Sequence, residues 1–253
     1  MRRALWVFAL VFGLAATAFA APAFAIDQIS DQTYPLAAGG SFTLDNVNGS
    51  VQLDGWERDQ VEVRAVKSAR RNAADLDRVQ VEVESHTGSV AVHTRYPKDS
   101  GVDVEVEYRI HVPYRVLLGE IATVNGSIRI RGVEGTGHIR SVNGNVELLD
   151  SAGRFSARTT NGNVRLELRH LTDGEPMKLE TVNGSVVLAL PSDARANFDV
   201  RSLNGDFPSD LPLETQGSLS TRAFHGRLGS GGGDISIRTV NGGIRVIQER
   251  PTV

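Results

Sequence analysis

Apolar side chains recur at every second position on either side of a repeated Asn-Gly pair, a period of two that predicts short strands with one buried face. Seven pairs punctuate the chain: Asn48-Gly49, Asn125-Gly126, Asn143-Gly144, Asn161-Gly162, Asn183-Gly184, Asn204-Gly205 and Asn241-Gly242. From Asn125 onward the intervals are 18, 18, 22, 21 and 37 residues, and the last divides at His225-Gly226. Counted from each Asn, position +3 is Val51, Ile128, Val146, Val164, Val186, Phe207 or Ile244. Position +5 is Leu53, Ile130, Leu148, Leu166, Leu188 or Val246, with Ser209 breaking the row. Position −4 is Leu44, Ile121, Ile139, Ala157, Leu179, Val200 or Ile237, and position −2 is mostly a small hydroxyl, from Thr123 to Thr239. A repeat of this length is one supersecondary unit, too small to bury its own apolar face, so the units must stack on one another.

Two architectures fit this pattern. Gly takes positive φ at no steric cost and Asn is the next most tolerant residue, so each pair reads as a type I′ turn in an antiparallel hairpin meander. That reading turns position −1 outward, although it is Val47, Val124, Val142, Val182, Leu203, Phe224 and Val240. A β-solenoid of about 18–22 residues per coil lets position −1 point into the space between two facing sheets, and lays each coil on the one before it in parallel register, so equal positions stack into ladders. Position +4 reads Arg129, Glu147, Arg165 on successive units, alternating in sign as a stacked row should. The expected fold is therefore all-β: a repeat β-solenoid, parallel β-helix-like, with the meander as the alternative.

Organisation along the chain follows. Residues 1–25 carry Arg2 and Arg3, an apolar run and Ala23-Phe24-Ala25, the pattern of a secretory signal peptide cleaved before Ile26, with a cut after Ala20 as the alternative. Residues 26–113 form a more irregular N-terminal β region capping the stack, 114–247 the repeat solenoid, and 248–253 a tail. The N-terminal region holds the first unit (Phe42 to Leu53), a polar stretch from Lys67 to Asp77 suited to a loop or one helical turn, and the longest strand, Val102 to Val112, stopped by Pro113. Gly229 to Gly233 reads as a loop between coils.

Composition narrows the chemistry. The chain has 27 basic and 30 acidic residues, and loss of Arg2 and Arg3 with the signal leaves 25 basic, a net charge near −5 that argues against nucleic acid and anionic lipid. With no Cys, stability must come from burial and strand ladders. The apolar run of the signal is short for a span, so no stable membrane span is expected after its removal. Asp103, Glu105 and Glu107 form an acidic row that could hold a cation, but no calcium-type spacing accompanies it. The six His show no metal-ligand spacing, His225 reads as a turn residue replacing Asn, and no Ser sits in a nucleophile elbow. Neither a cofactor, a metal nor a catalytic residue is expected. An enzymatic alternative, a β-helix acting on acidic polysaccharide, would draw on Asp150, Asp173, Glu180, Arg140, Arg158 and Arg201.

Val61-Glu-Val-Arg-Ala-Val-Lys67, Thr94-Arg-Tyr-Pro97, Val106 to Pro113, the Asn-Gly turns and Val186 to Pro191 occur in an order that resembles the bacterial putative-adhesin family, exported β-strand-repeat domains of unknown function. The resemblance covers residues 35 to 247. It implies a β-solenoid-like fold outside the cytoplasm and an adhesive or envelope role, with no catalytic residues to carry over. The expected function is thus an exported, non-enzymatic adhesin-like or scaffold protein of the bacterial envelope, periplasmic or at the cell surface. It would bind a surface, a glycan or a protein partner; an accessory role in envelope stress is a further alternative.

Overall fold

The structure is a computed structural model that describes residues 26–98, 101–172, 174–208, 213–215 and 223–248. The expected signal peptide, Ser209, Asp173 and the tail beyond Gln248 lie outside the described residues. In chain order the strands are β1 (Ile26–Pro35), β2 (Ser41–Asp45), β3 (Val51–Trp56), β4 (Gln60–Ala69), β5 (Gln80–His86), β6 (Ser89–Arg95), β7 (Val104–Pro113), β8 (Arg115–Asn125), β9 (Ile128–Arg131) and β10 (Glu134–Asn143). They continue as β11 (Val146–Arg158), β12 (Val164–His170), β13 (Met177–Asn183), β14 (Val186–Leu190), β15 (Ala196–Asn204), β16 (Leu213–Thr215), β17 (Ala223–Leu228), β18 (Asp234–Asn241) and β19 (Ile244–Gln248). A 3-10 helix, Ala73–Arg78, lies in the polar stretch after β4.

The protein is a β-solenoid in which each Asn-Gly pair joins two facing walls. Strands preceding the pairs, with β6 added at one end, stack in parallel as wall A, in the order β6, β2, β8, β10, β11, β13, β18, β15. Strands following the pairs, with β7 added at one end, stack in parallel as wall B, in the order β7, β3, β9, β11, β12, β14, β19. Antiparallel strands extend the piles, with β5 on β6, β4 and β1 on β7, and β17 and β16 on β15. The antiparallel alternative fails because strands of neighbouring units pair in parallel.

Register puts like upon like. Ile128, Val146, Val164, Val186 and Ile244 stack at position +3, and Ile130, Leu148, Leu166, Leu188 and Val246 at +5, every one fully buried. Facing them from wall A are Ile121, Ile139, Ala157, Leu179, Ile237 and Val200, also buried. Each such aliphatic side chain contributes roughly 1.5–3 kcal/mol of burial, and repetition along the pile makes one continuous dry seam.

Three expectations are corrected. The coils do not stack in sequence order: β18 and β19, the last made, lie beside β13 and β14, with β15 outside β18. His225 is not a turn residue; it sits inside β17, antiparallel to Asp199 of β15, so the 37-residue interval holds an end strand rather than a hidden coil. The longest strand is β11, not the valine strand ending at Pro113, because β11 serves both walls and bends between them at Asp150, whose φ is 49°. Gly132, φ 64°, holds the same place one coil earlier.

Among the described residues, wall B ends one coil before wall A. Ile244 N donates to Asp206 O at 2.9 Å, the bond that opens wall-B pairing in each coil. The next donor in a parallel ladder would be residue 208, and Pro208 has no N–H.

Candidate binding face

The corner between the walls is built from three hydrogen-bonded rows. The Asn amides form one chain: Asn125 Nδ2 donates to Asn48 Oδ1, Asn143 to Asn125, Asn161 to Asn143, Asn183 to Asn161, Asn241 to Asn183 and Asn204 to Asn241, all at 2.8–2.9 Å. Each Gly N–H donates to the Asn carbonyl of the adjacent coil, from Gly49 to Asn125 through Gly242 to Asn204. The −2 hydroxyls donate to Gly carbonyls on the neighbouring coil: Thr123 to Gly49, Ser141 to Gly126, Thr159 to Gly144, Thr181 to Gly162, Thr239 to Gly184 and Ser202 to Gly242. In the first coil this position is Asn46, whose longer side chain reaches Val106 O at 3.0 Å, where no Gly corner lies opposite.

This geometry reassigns the Asn. None of these Asn residues has positive φ, so none is present for left-handed backbone. Gly is required because a Cβ on Gly126, Gly144, Gly162, Gly184 or Gly242 would stand 2.0–2.2 Å from the carbonyl oxygen of the Gly stacked beside it.

The −1 row is also corrected. Val124, Val182, Leu203 and Val240 are 39%, 36%, 54% and 36% exposed, and Val47 and Val142 are half-buried. The strands of wall A stay extended through the Asn itself, so alternation puts −2 inside and −1 outside. Phe224 is buried, because it belongs to β17 and packs on Phe207.

The exposed row borders a trough on the outer face of wall A. One part, about 460 Å³, is lined by Arg158, Glu180, Arg201 and Arg238, with Val182, Leu203 and Val240 beside them. An adjoining part of about 400 Å³ shares Arg158 and Glu180 and adds Glu120, His138, Arg140 and Lys178. Position −3 runs across both as Ala122, Arg140, Arg158, Glu180, Arg238, Arg201 in spatial order. Arg158 meets Glu180 at 3.5 Å, and Asp199 meets Arg201 at 3.2 Å and Arg238 at 3.5 Å. Arg140 stacks on Arg158 and Arg238 on Arg201, like charge directly on like. On wall B the +4 row instead pairs opposite charges, Arg129 with Glu147 at 2.7 Å.

Of the residues singled out for an enzymatic groove, Arg140, Arg158, Glu180 and Arg201 share this face. Asp150 lies at the bend between the walls, paired with Arg169 at 2.7 Å, and Asp173 is outside the described residues. The Asp103–Glu107 row faces arginines: Arg71 at 3.9 Å from Asp103 and Arg70 at 3.7 Å from Glu105. Among the described residues no group of three or more His, Asp or Glu converges in metal-binding geometry, and no helix is long and apolar enough to cross a membrane. Sequence reasoning passed over Lys178 and Arg238, which come to the trough only through coil order. It also passed over buried Arg154, which donates to Glu175 O, Thr172 O and Asp234 O and ties the loop before β13 to the start of β18. At the N-terminal end, Tyr108 shares a 2.7 Å hydrogen bond with Thr94; burial raises the Tyr108 phenol and pushes Tyr96 up to about 12.

A family model described as Toastrack DUF4097 matches residues 114–247. No curated protein matches the chain. Among solved structures, a putative cell adhesion protein from Clostridium sporogenes ATCC 15579 is similar over 88% of this chain and 100% of its own, at 13% identity and a TM-score of 0.51, a likeness of fold. A putative adhesin from Bacteroides fragilis NCTC 9343 aligns over 88% of this chain and 97% of its own, at 10% identity and a TM-score of 0.43.

Proposed function

Since this chain belongs to the Toastrack DUF4097 family, we propose that it is an exported, non-enzymatic binding module of the bacterial envelope that presents the outer face of wall A to an extended ligand. The observation that carries this reading is the trough itself. It crosses several coils, it is bordered by exposed aliphatic side chains, and its cations stand at the spacing of stacked strands. A rigid pile of parallel strands holds such side chains in fixed relation without any loop to order, which favours recognition of a long surface. The similar fold described as a putative cell adhesion protein agrees with a display role. Turnover of a polysaccharide by the usual pair of carboxylates would need an acid and a base facing one bond, whereas Glu180 is held by Arg158.

The test has two parts. Fractionation of cells and N-terminal sequencing should find the chain outside the cytoplasm and beginning at or near Ile26. The purified mature protein should bind one or more envelope polymers on a glycan array and leave their chain length unchanged. A cytoplasmic location, or release of new reducing ends, overturns the proposal.

A further inference from the structure

We infer that the trough of wall A is a binding site for a linear polyanionic glycan of the uronate class, laid along the coil axis; this rests on the display reading and supplies its ligand. Arg140, Arg158, Lys178, Arg201 and Arg238 stand against Glu120, Glu180 and nearby Asp199, an excess of two positive charges on a chain whose net charge is −3. The Arg-on-Arg stacking is the sharper sign. Like charges directly opposite on neighbouring strands destabilise a sheet, whereas on the repeat coils of wall B the +4 row pairs Arg129 with Glu147. Arg140 has no carboxylate partner among the described residues. Asp199 already lies between Arg238 and Arg201 and Glu180 holds Arg158, so an added anion relieves the repulsion chiefly where Arg140 stacks on Arg158.

Geometry selects the anion. From Arg140 to Arg201 the row spans four strand spacings of about 4.8 Å, roughly 19 Å, so the ligand is extended and carries charge at several points. The backbone of wall A is used in coil-to-coil ladders, so recognition falls to the side chains, and a guanidinium fork fits a carboxylate by two parallel hydrogen bonds. An acidic peptide would leave its own main chain without such partners. A bilayer is a plane, whereas these cations line a depression. A narrow polymer with a carboxylate on successive units fits both, with Val182, Val240 and Leu203 lying against its less polar edge.

Titration calorimetry on the full mature chain, with polygalacturonate and polyguluronate oligomers, neutral dextran, poly-glutamate and phosphatidylglycerol vesicles, tests this. Expected are binding of one or both uronates, none of dextran, and affinity falling steeply with added salt. Arg140→Gln with Arg158→Gln should weaken uronate binding at least tenfold, and Arg245→Gln on wall B should leave it unchanged. Arg140→Gln alone should melt at the same temperature or higher, because it removes a repulsion; a lower melting temperature marks Arg140 as a structural group and overturns the inference. So does equal binding of dextran, tighter binding of poly-glutamate or vesicles, or uronate binding indifferent to the arginine changes. If the protein binds a neutral glycan or an envelope protein and the arginines do not matter, the ligand class fails while the display reading stands. If it binds no envelope polymer of any kind, both fail.

Discussion

An Asn in the middle of the corner row is donor to one coil and acceptor from the next. Asn161→Ala removes both bonds, to Asn143 and from Asn183. The site is exposed, so water takes over the orphaned groups, and the expected loss is about 1 kcal/mol in urea-midpoint measurements. Gly162→Ala is harsher, because its Cβ would stand 2.2 Å from Gly144 O, against backbone that cannot step aside; about 2–4 kcal/mol is expected by the same measurement. The sequence announced these positions through repetition alone, and for the wrong reason in half the pair. Asn-Gly is what a left-handed turn demands, and only side-chain amides meeting across coils separate a ladder from a turn. A pH effect also belongs here. Tyr96 and Tyr108 titrate higher folded than unfolded, so their contribution is fully present below about pH 10 and declines as pH rises through about 12, where Tyr96 ionises in the fold. Melting temperature should be flat up to pH 10 and fall beyond it, and Tyr108→Phe should shallow that fall while costing the Thr94 hydrogen bond.

At the scale of the element, alternation was legible and its phase was not fully so. Buried rows at −4, +3 and +5 are plain in Ile121, Val164 and Leu166. A Val stripe beside water is costly, which predicts the −1 row inside; the strands decide otherwise by running extended through the Asn, and the stripe becomes one rim of the trough. Arg154 shows a different limit: a single Arg before Phe155 carries no signal, yet it joins three carbonyls from two separate segments. Arg154→Met should cost about 3 kcal/mol. Hydrogen exchange should speed up around Thr172 and Glu175 and at the start of β18 more than in β9 or β12.

For the whole molecule, fold class could be read from repeat length and period, but coil order could not, because every Asn-Gly unit offers the same sticky edges to every other. Interchangeable edges let β18 and β19 pair with β13 and β14 ahead of β15. A chain ending at Gly233 should therefore lose the cooperative melt of the intact protein, with exchange protection failing in β13 to β15 and surviving in β8 to β10. The order of manufacture thus differs from the order of assembly. A ribosome or export channel that releases this polypeptide from its N-terminus must deliver the outer rungs, β15 to β17, before the one that belongs beneath them. Until β18 arrives, β13 and β15 lack the strand that lies between them in the finished fold, so completion of the C-terminal region acts as the latch that makes the tower whole.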